Sequence, residues 1–182
     1  MANITVAGVT YELPDESMAN KTTLYTAALQ ALATQLEFVS GSVGARVYNN
    51  ANLAVANNTI TTLTFNSERY DYTTPLHSTS SNTDRLTFPY AGKWRVGTCA
   101  KFAANATGVR GLLIYKNGTE IIGYSLTANA GGTYPSILTA TADWSFAAND
   151  YATAKAFQTS GGSLNVEVDA SYSTEFWCSF LG

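Results

Sequence analysis

The sequence predicts a mainly β protein, an antiparallel sandwich or jelly roll, preceded by a short helical segment. After Gly41, short apolar stretches alternate with turn residues to the end of the chain, and eight to ten strands at this spacing are typical of a sandwich. Strands do not alternate with helical patterns, which argues against a parallel sheet. We therefore expect three parts: an N-terminal segment over 1–16, a helix over 17–40 and a β head over 42–182.

Composition limits the possible functions. The chain has 182 residues, 46% of them hydrophobic, so it can bury one good core. Only 13% are charged, which suits a surface that contacts neighbouring subunits. Ten basic residues and a net charge of −3 give no electrostatic footprint for nucleic acid. No apolar run approaches the roughly 18 residues of a membrane span, and the first residues do not resemble a cleaved secretion signal.

The N-terminal segment is β-prone but too short to fold alone, and it ends at Pro14. It can serve as an anchor that docks on another protein, or as a strand that packs on its own chain. The sequence leaves open whether it pairs with itself, with a sister chain or with a partner. The anchor hypothesis assigns the docking role to its apolar residues, namely Ile4, Val6, Val9, Tyr11 and Leu13.

The period then changes to that of a coiled coil. Apolar residues follow alternating steps of four and three, interrupted only by Thr22, and these seam positions are Met18, Tyr25, Leu29, Leu32, Leu36 and Val39. Asp15 and Ser17 are credible N-caps, and Gly41 is a C-terminal stop. The alternative is an amphipathic helix packed on its own domain. Small alanines beside the seam favour a short helical bundle, which we expect the head to reinforce.

The head follows as a series of short strands bounded by turn residues. The strongest hairpin signal is Asn117-Gly118, which lies between two apolar stretches. The predicted strands cover 45–48, 61–65, 85–88, 92–102, 108–116, 120–126, 134–146, 151–157, 163–170 and 174–181.

Catalytic chemistry is not predicted. His77 is the only histidine and lies in a polar loop that we expect to be exposed. No Gly-x-Ser-x-Gly motif occurs, and one histidine with two separated cysteines cannot build a usual structural zinc site. Cys99 and Cys178 each fall within an apolar strand, which favours free thiols over a disulfide. We expect no enzyme activity, no cofactor and no metal site.

Five ordered segments of the head resemble the C1q/TNF-like jelly-roll family. Trp94 stands at an aromatic position of that family's pattern, Asn149 replaces a glycine, and Cys178 and Ser179 stand where glycine is common. Segments 67–71 and 102–110 are similar to versions in bacteriophage-encoded members. The five segments are 62–71, 85–94, 113–118, 148–151 and 173–181.

This resemblance implies a homotrimer of jelly-roll heads around a threefold axis, with a helical stalk in place of collagen. It further implies a virion protein made in the host cytoplasm. One expectation is a structural capsid decoration or head fibre that docks on the capsid through its N-terminus. The alternative is a short tail or baseplate spike that recognises a host surface glycan or protein.

Tyrosines are numerous, and most are expected in the core and at the trimer axis. The best candidate for an exposed contact loop contains Tyr70, Asp71, Tyr72 and His77. Three copies of Asp71, Asp84 or Asp150 could hold Ca²⁺ at a threefold axis. No Asp-x-Asp cluster supports such a site, so we favour turn aspartates that accept hydrogen bonds from their own backbone.

Overall fold

The protein is described by a computed structural model that divides the chain into two compact units, 1–42 and 43–182. The predicted helix caps Asp15, Ser17 and Gly41 and the predicted break at Pro14 lie outside the described residues. The described residues are 2–6, 9–13, 18–39, 43–72, 75–128, 134–169 and 174–182.

The first unit contains a β-hairpin and a helix. Strand β1, Ala2–Val6, pairs antiparallel with β2, Val9–Leu13, so these two strands pair with each other within one chain. Helix α1 spans Met18–Val39, which is the segment with the heptad pattern. Most of a helix's stability in a protein comes from packing of its apolar face, so this 22-residue helix is expected to be stabilised when its seam is covered.

The described part of the second unit contains twelve strands, and each of the ten predicted segments overlaps one of them. The strands are β3 Gly44–Tyr48, β4 Leu53–Val55, β5 Thr61–Thr62, β6 Ser67–Asp71, β7 Arg85–Thr87, β8 Gly92–Phe102, β9 Val109–Lys116, β10 Glu120–Ala128, β11 Ser136–Phe146, β12 Tyr151–Gln158, β13 Leu164–Glu167 and β14 Glu175–Phe180.

These strands form two antiparallel sheets. The seven-stranded sheet has the order β4-β13-β8-β14-β3-β6, and β11 also pairs with β8. The five-stranded sheet has the order β10-β9-β12-β5, and β7 also pairs with β12. Strands distant in sequence, such as β3 and β14, are neighbours, as in a jelly roll. The prediction of a mainly β jelly roll is confirmed.

The core lies between the two sheets. The seven-stranded sheet contributes the fully buried Val96 and Phe176, and the five-stranded sheet contributes Leu112 and Ile114. Aromatic rings close one end of the core: Phe88 lies 4.8 Å from Trp94 and 4.1 Å from Phe146, measured between ring centroids. Full burial of one such side chain contributes about 1.5–3 kcal/mol, so this cluster is a major source of stability.

The sequence did not predict strands β4 and β6, and the strand that it predicted over 61–65 is shorter in the structure. β4 is only three residues long, and β6 reads Ser-Glu-Arg-Tyr-Asp, which has no alternation of apolar and polar residues. Segment 61–65 pairs as a strand only at Thr61–Thr62. Leu63 and Phe65 are nevertheless buried, and their amides donate to the carbonyls of Ala154 and Thr83. Their burial comes from a loop that crosses the end of the core.

Turn chemistry explains the sharp reversals. Asn117 and Gly118 have φ of 49° and 74° and lie with Thr119 in the loop between the paired Lys116 and Glu120, so the predicted hairpin is confirmed. Asn149 has φ of 69°, at the position where the resembling family has glycine. Asn tolerates this left-handed region better than most residues, because its short polar side chain can hydrogen-bond locally.

The backbone at Asn149 leads to a prediction. Asn149→Ala is expected to lower the free energy of unfolding by about 1 kcal/mol, because an alanine pays the left-handed penalty without local hydrogen bonding. Asn149→Gly is expected to retain or slightly raise it. Urea unfolding followed by tryptophan fluorescence measures both changes. Equal losses for the alanine and glycine variants would show that the backbone angle is not the cause.

Candidate functional site

One side of the seven-stranded sheet faces away from the core, and we call it the outer face. Along β8, Trp94, Val96 and Thr98 are buried, whereas the alternating Arg95 and Cys99 are not fully buried. The same alternation holds on β14 and β11, because successive side chains of a strand point to opposite faces. The central row of the outer face, read across the paired strands, is Thr141, Gly97, Trp177, Arg46 and Tyr70.

Gly97 lets the Trp177 indole lie flat on the outer face. A Cβ added at Gly97 would lie 2.3 Å from carbon atoms of that indole, so no larger residue fits without moving the ring. On the neighbouring strand, the Arg46 guanidinium lies 5.4 Å from the Trp177 ring centroid. Cation–π attraction therefore adds to the packing of this row.

Glu175 is the most buried charge on the outer face, with 4% of its surface exposed. Its Oε2 lies 2.5 Å from Arg46 Nη2, and its Oε1 lies 2.6 Å from Arg69 Nη2. The Nε atoms of the two arginines donate to the same oxygens. Arg69 also lies over the Tyr48 ring, at 4.8 Å from its centroid. Two cations share one carboxylate, so this cluster carries a net positive charge.

Other charges of the outer face form exposed pairs. Arg95 donates to both carboxylate oxygens of Asp143, at 2.8 and 2.7 Å, and this contact lowers the pKa of Asp143. Lys101 lies within 3.4 Å of Glu167 and within 3.1 Å of Asp169. Such exposed pairs contribute little to stability but constrain which surfaces can approach.

The predicted contact loop separates into exposed and interior residues. Tyr70 and Tyr72 stack, with ring centroids 4.8 Å apart and an angle of 13° between planes, and they are 36% and 52% exposed. Asp71 is half-buried and accepts hydrogen bonds from the amides of Leu76 and His77. Burial raises the pKa of Asp71 despite these bonds. Asp71 therefore holds the following loop against β6 rather than presenting a contact.

The expectation that His77 is exposed needs correction. His77 is only 7% exposed; its Nδ1 lies 3.0 Å from Glu68 Oε1, and its Nε2 lies 3.4 Å from the Thr83 carbonyl oxygen. The polar residues around it misled the sequence prediction, because Glu68 on β6 supplies a polar partner inside the loop. His77 is thus a structural side chain that joins the loop to the sheet.

The N-terminal candidates lie on the hairpin and helix. Ile4 is opposite Tyr11, Val6 is opposite Val9, and Leu13 is opposite Ala2. The side chains of these candidates, and those of Met18, Leu36 and Val39 on α1, lie outside the described ones. Among the described seam residues of α1, the exposed fractions are 43% for Tyr25, 66% for Leu29 and 43% for Leu32.

Metal and thiol chemistry adds no site within the described part of the chain, which contains no group of three or more potential metal ligands. Asp150 accepts hydrogen bonds from the Ala147 amide and the Asn117 side chain, as expected for a turn aspartate. Cys178 is a buried free thiol, and burial raises its pKa to about 12. No helix in the described ranges is long and apolar enough to cross a membrane.

No family model and no curated protein matches the sequence. Solved structures do match. The Eiger TNF of S. frugiperda gives a TM-score of 0.58 at 10% identity, over 78% of this chain and 94% of that one. Murine APRIL at pH 5.0 gives a TM-score of 0.59 at 10% identity, over 77% of this chain and 99% of that one. These similarities show that the fold is a TNF-like jelly roll.

Sequence reasoning missed the Arg46–Glu175–Arg69 cluster. A weak signal was present, because Arg46 and Glu175 are charged residues inside strands whose neighbours are apolar. The partners are 129 and 106 residues apart in the sequence, so only the pairing of β14 with β3 and of β3 with β6 brings them together.

The cluster leads to a stability prediction. Glu175→Gln is expected to lower the free energy of unfolding by about 2 kcal/mol, because two arginines lose a charged acceptor in a partly desolvated site. Asp143→Asn is the matched control and should change stability by less than about 0.5 kcal/mol, because that pair is exposed. Urea unfolding at neutral pH measures both. An equal effect of the two substitutions would contradict the special role of Glu175.

Proposed function

We propose that the head self-associates as a homotrimer and that the outer face is its contact surface. The observation that supports this proposal most directly is the Arg46–Glu175–Arg69 cluster beside Trp177. It is an ordered, aromatic-rich surface on a sheet face that the core does not use. Arginine and large aromatic residues are enriched in interfaces, where they supply area and directed hydrogen bonds.

Apolar exposure on this face supports the same proposal. Ile137 on β11 is 60% exposed, and Tyr72 at the opposite edge is 52% exposed. Between them lie neutral threonines and the Arg95–Asp143 ion pair, which is satisfied within the chain. A second copy can cover that pair without leaving either charge unpaired. The threefold symmetry itself is an expectation from the resemblance to C1q/TNF-like heads.

The helix supports a stalk that gathers the chains. Tyr25, Leu29 and Leu32 are exposed and follow steps of four and three, so each helix presents an apolar strip. Three such strips can bury one another in a short coiled coil. The seam has almost no charged flanking residues that would select partners, so the head is expected to define the number of chains.

We further propose that this trimer is a structural virion protein of a bacteriophage, a capsid decoration or head fibre anchored by its N-terminus. The separate hairpin of β1 and β2 supports an anchor, because a two-stranded hairpin is marginally stable alone and gains from docking on a larger surface. The resemblance of segments 67–71 and 102–110 to phage-encoded heads supports the virion setting.

A second candidate function is recognition of a host surface glycan or protein by a tail or baseplate spike. The stacked Tyr70 and Tyr72 favour it, because they present aromatic surface at the edge strand β6. Tyrosine buries area at low cost in conformational entropy and keeps a hydroxyl for hydrogen bonding. Loss of adsorption to host cells on Tyr72→Ser, with virion assembly intact, would favour this candidate over decoration.

The oligomer can be tested by native mass. The full chain and residues 43–182 are both expected to have three times the mass of their single chains, the full chain weighing 19.4 kDa. Thr141→Lys, on the edge strand β11 in the central row of the outer face, is expected to shift the isolated head to monomer, because it adds a cation to a contact face that already carries the net positive Arg46–Glu175–Arg69 cluster. Thr119→Lys in the β9–β10 turn is the matched control. A wild-type head that is a stable monomer would overturn the trimer.

The anchor can be tested by deletion. Removal of residues 1–16 is expected to abolish binding to isolated capsids while the trimer mass is retained, because the docking surface is lost and the head is not. Ile4→Asp with Val6→Asp should have the same effect, with the oligomer again unchanged. Cosedimentation with capsids measures the loss. Full capsid binding by the deleted chain would contradict the anchor hypothesis.

A further inference from the structure

The outward side of the five-stranded sheet carries a groove that the proposed trimer does not use. Its volume is about 370 Å³, within the range of small-molecule sites. Leu126 and Phe157 are the cross-strand partners of Gly111, and Tyr124 is the partner of Leu113. We call this concavity the outer groove; it is lined by Ile60, Gly111, Leu113, Ile121, Tyr124, Ser125, Leu126 and Phe157.

Gly111 forms part of the floor of the groove. It lies within β9, between β10 and β12, where a missing side chain weakens a strand and leaves room for a ligand. Its φ lies outside the left-handed region, so the backbone does not require glycine there. A Cβ at this position would lie 3.1 Å from Leu126 Cδ1 and 3.4 Å from Phe157 Cβ. Leu126 and Phe157 therefore already lie close over Gly111, and a side chain at this position would narrow the groove further.

The side chains that line the groove favour a hydrocarbon ligand. Ile121, Tyr124 and Leu126 are 49%, 73% and 62% exposed, although all three are large and apolar or aromatic. Among the described residues that line the groove, only Ser125 and the Tyr124 phenol carry polar side-chain atoms. A sugar would leave most of its hydroxyl groups without partners in such a groove, and that desolvation costs free energy.

The Lys155 ammonium lies near the Ile121 end of the groove. Lys155 is the cross-strand partner of Leu113, and its Nζ lies 4.0 Å from the Tyr115 ring centroid. That ammonium donates to the Gly118 carbonyl oxygen at 3.1 Å, and within the described ranges it makes no ion pair with a carboxylate. An ammonium has three donors, so Lys155 has capacity for an anionic acceptor.

We propose that the outer groove binds an amphipathic carboxylate, a linear acyl chain whose head group contacts Lys155. The acyl chain lies over Gly111 and Leu113 between the walls, and the carboxylate accepts a hydrogen bond from the lysine ammonium. Gly111 and Tyr115 are four residues apart along β9, so the distance between their positions on the strand is about 13 Å. A medium-length fatty acid matches this span, the apolar lining and the sign of the nearby charge.

The test is calorimetric titration of the full chain with laurate below its critical micelle concentration. Dodecyltrimethylammonium, a cation with a tail of the same length, is titrated in parallel. We expect saturable binding of one laurate per chain, with a lower Kd than that of dodecyltrimethylammonium. Lys155→Gln should weaken laurate binding about fivefold, since a partly exposed ion pair contributes at most about that factor, and should remove the preference for the anion. Leu126→Glu should weaken it about tenfold or more by placing a like charge in the groove.

Asn165→Glu is the matched control for Leu126→Glu, because it adds the same charge at an exposed position of β13, on the other sheet. It should leave laurate binding unchanged. Absence of saturable laurate binding, equal binding of anion and cation, or full binding by the Leu126→Glu chain would each overturn the proposal. Binding of an acidic apolar peptide in place of laurate would overturn it in favour of a protein partner.

Discussion

The register of β8 is the constraint on which both sheet surfaces depend. β11 pairs with one edge of this strand along its full length, and β14 and β13 pair with the other. Because side chains alternate between faces, this register places Trp94 and Val96 in the core and Arg95 and Gly97 on the outer face. A slip of one residue would exchange the two sets, burying the charges of Lys93, Arg95 and Lys101 and exposing Trp94.

Gly97 shows how closely packing and site geometry are coupled. The Trp177 indole occupies the space that a side chain at Gly97 would need, and it in turn supports Arg46. Arg46 and Arg69 then compensate the burial of Glu175. A buried carboxylate is costly unless such donors surround it, so the cluster depends on β3, β6, β8 and β14 being in place together.

The two outward surfaces of the sandwich differ in chemistry. The outer face of the seven-stranded sheet carries satisfied ion pairs and aromatic rings, which suit contact with another folded surface. The outer groove is apolar with one cation at its end, which suits a ligand that is mostly hydrocarbon. Because the two surfaces lie on different sheets, self-association through one leaves the other accessible, and the two proposals can succeed or fail separately.

Local pattern determined the strand segments, the Asn117-Gly118 hairpin and the helix, because these depend on side-chain period and turn chemistry that neighbouring residues carry. Tertiary structure alone decided the partners of Glu175, the burial of His77 and the groove on the five-stranded sheet. Each depends on strands far apart in sequence. The sequence of β6 resembles that of a polar loop, and this segment forms a strand because it pairs with β3. Periodicity predicts which side of a strand is buried, but it does not predict which other strand pairs with that strand.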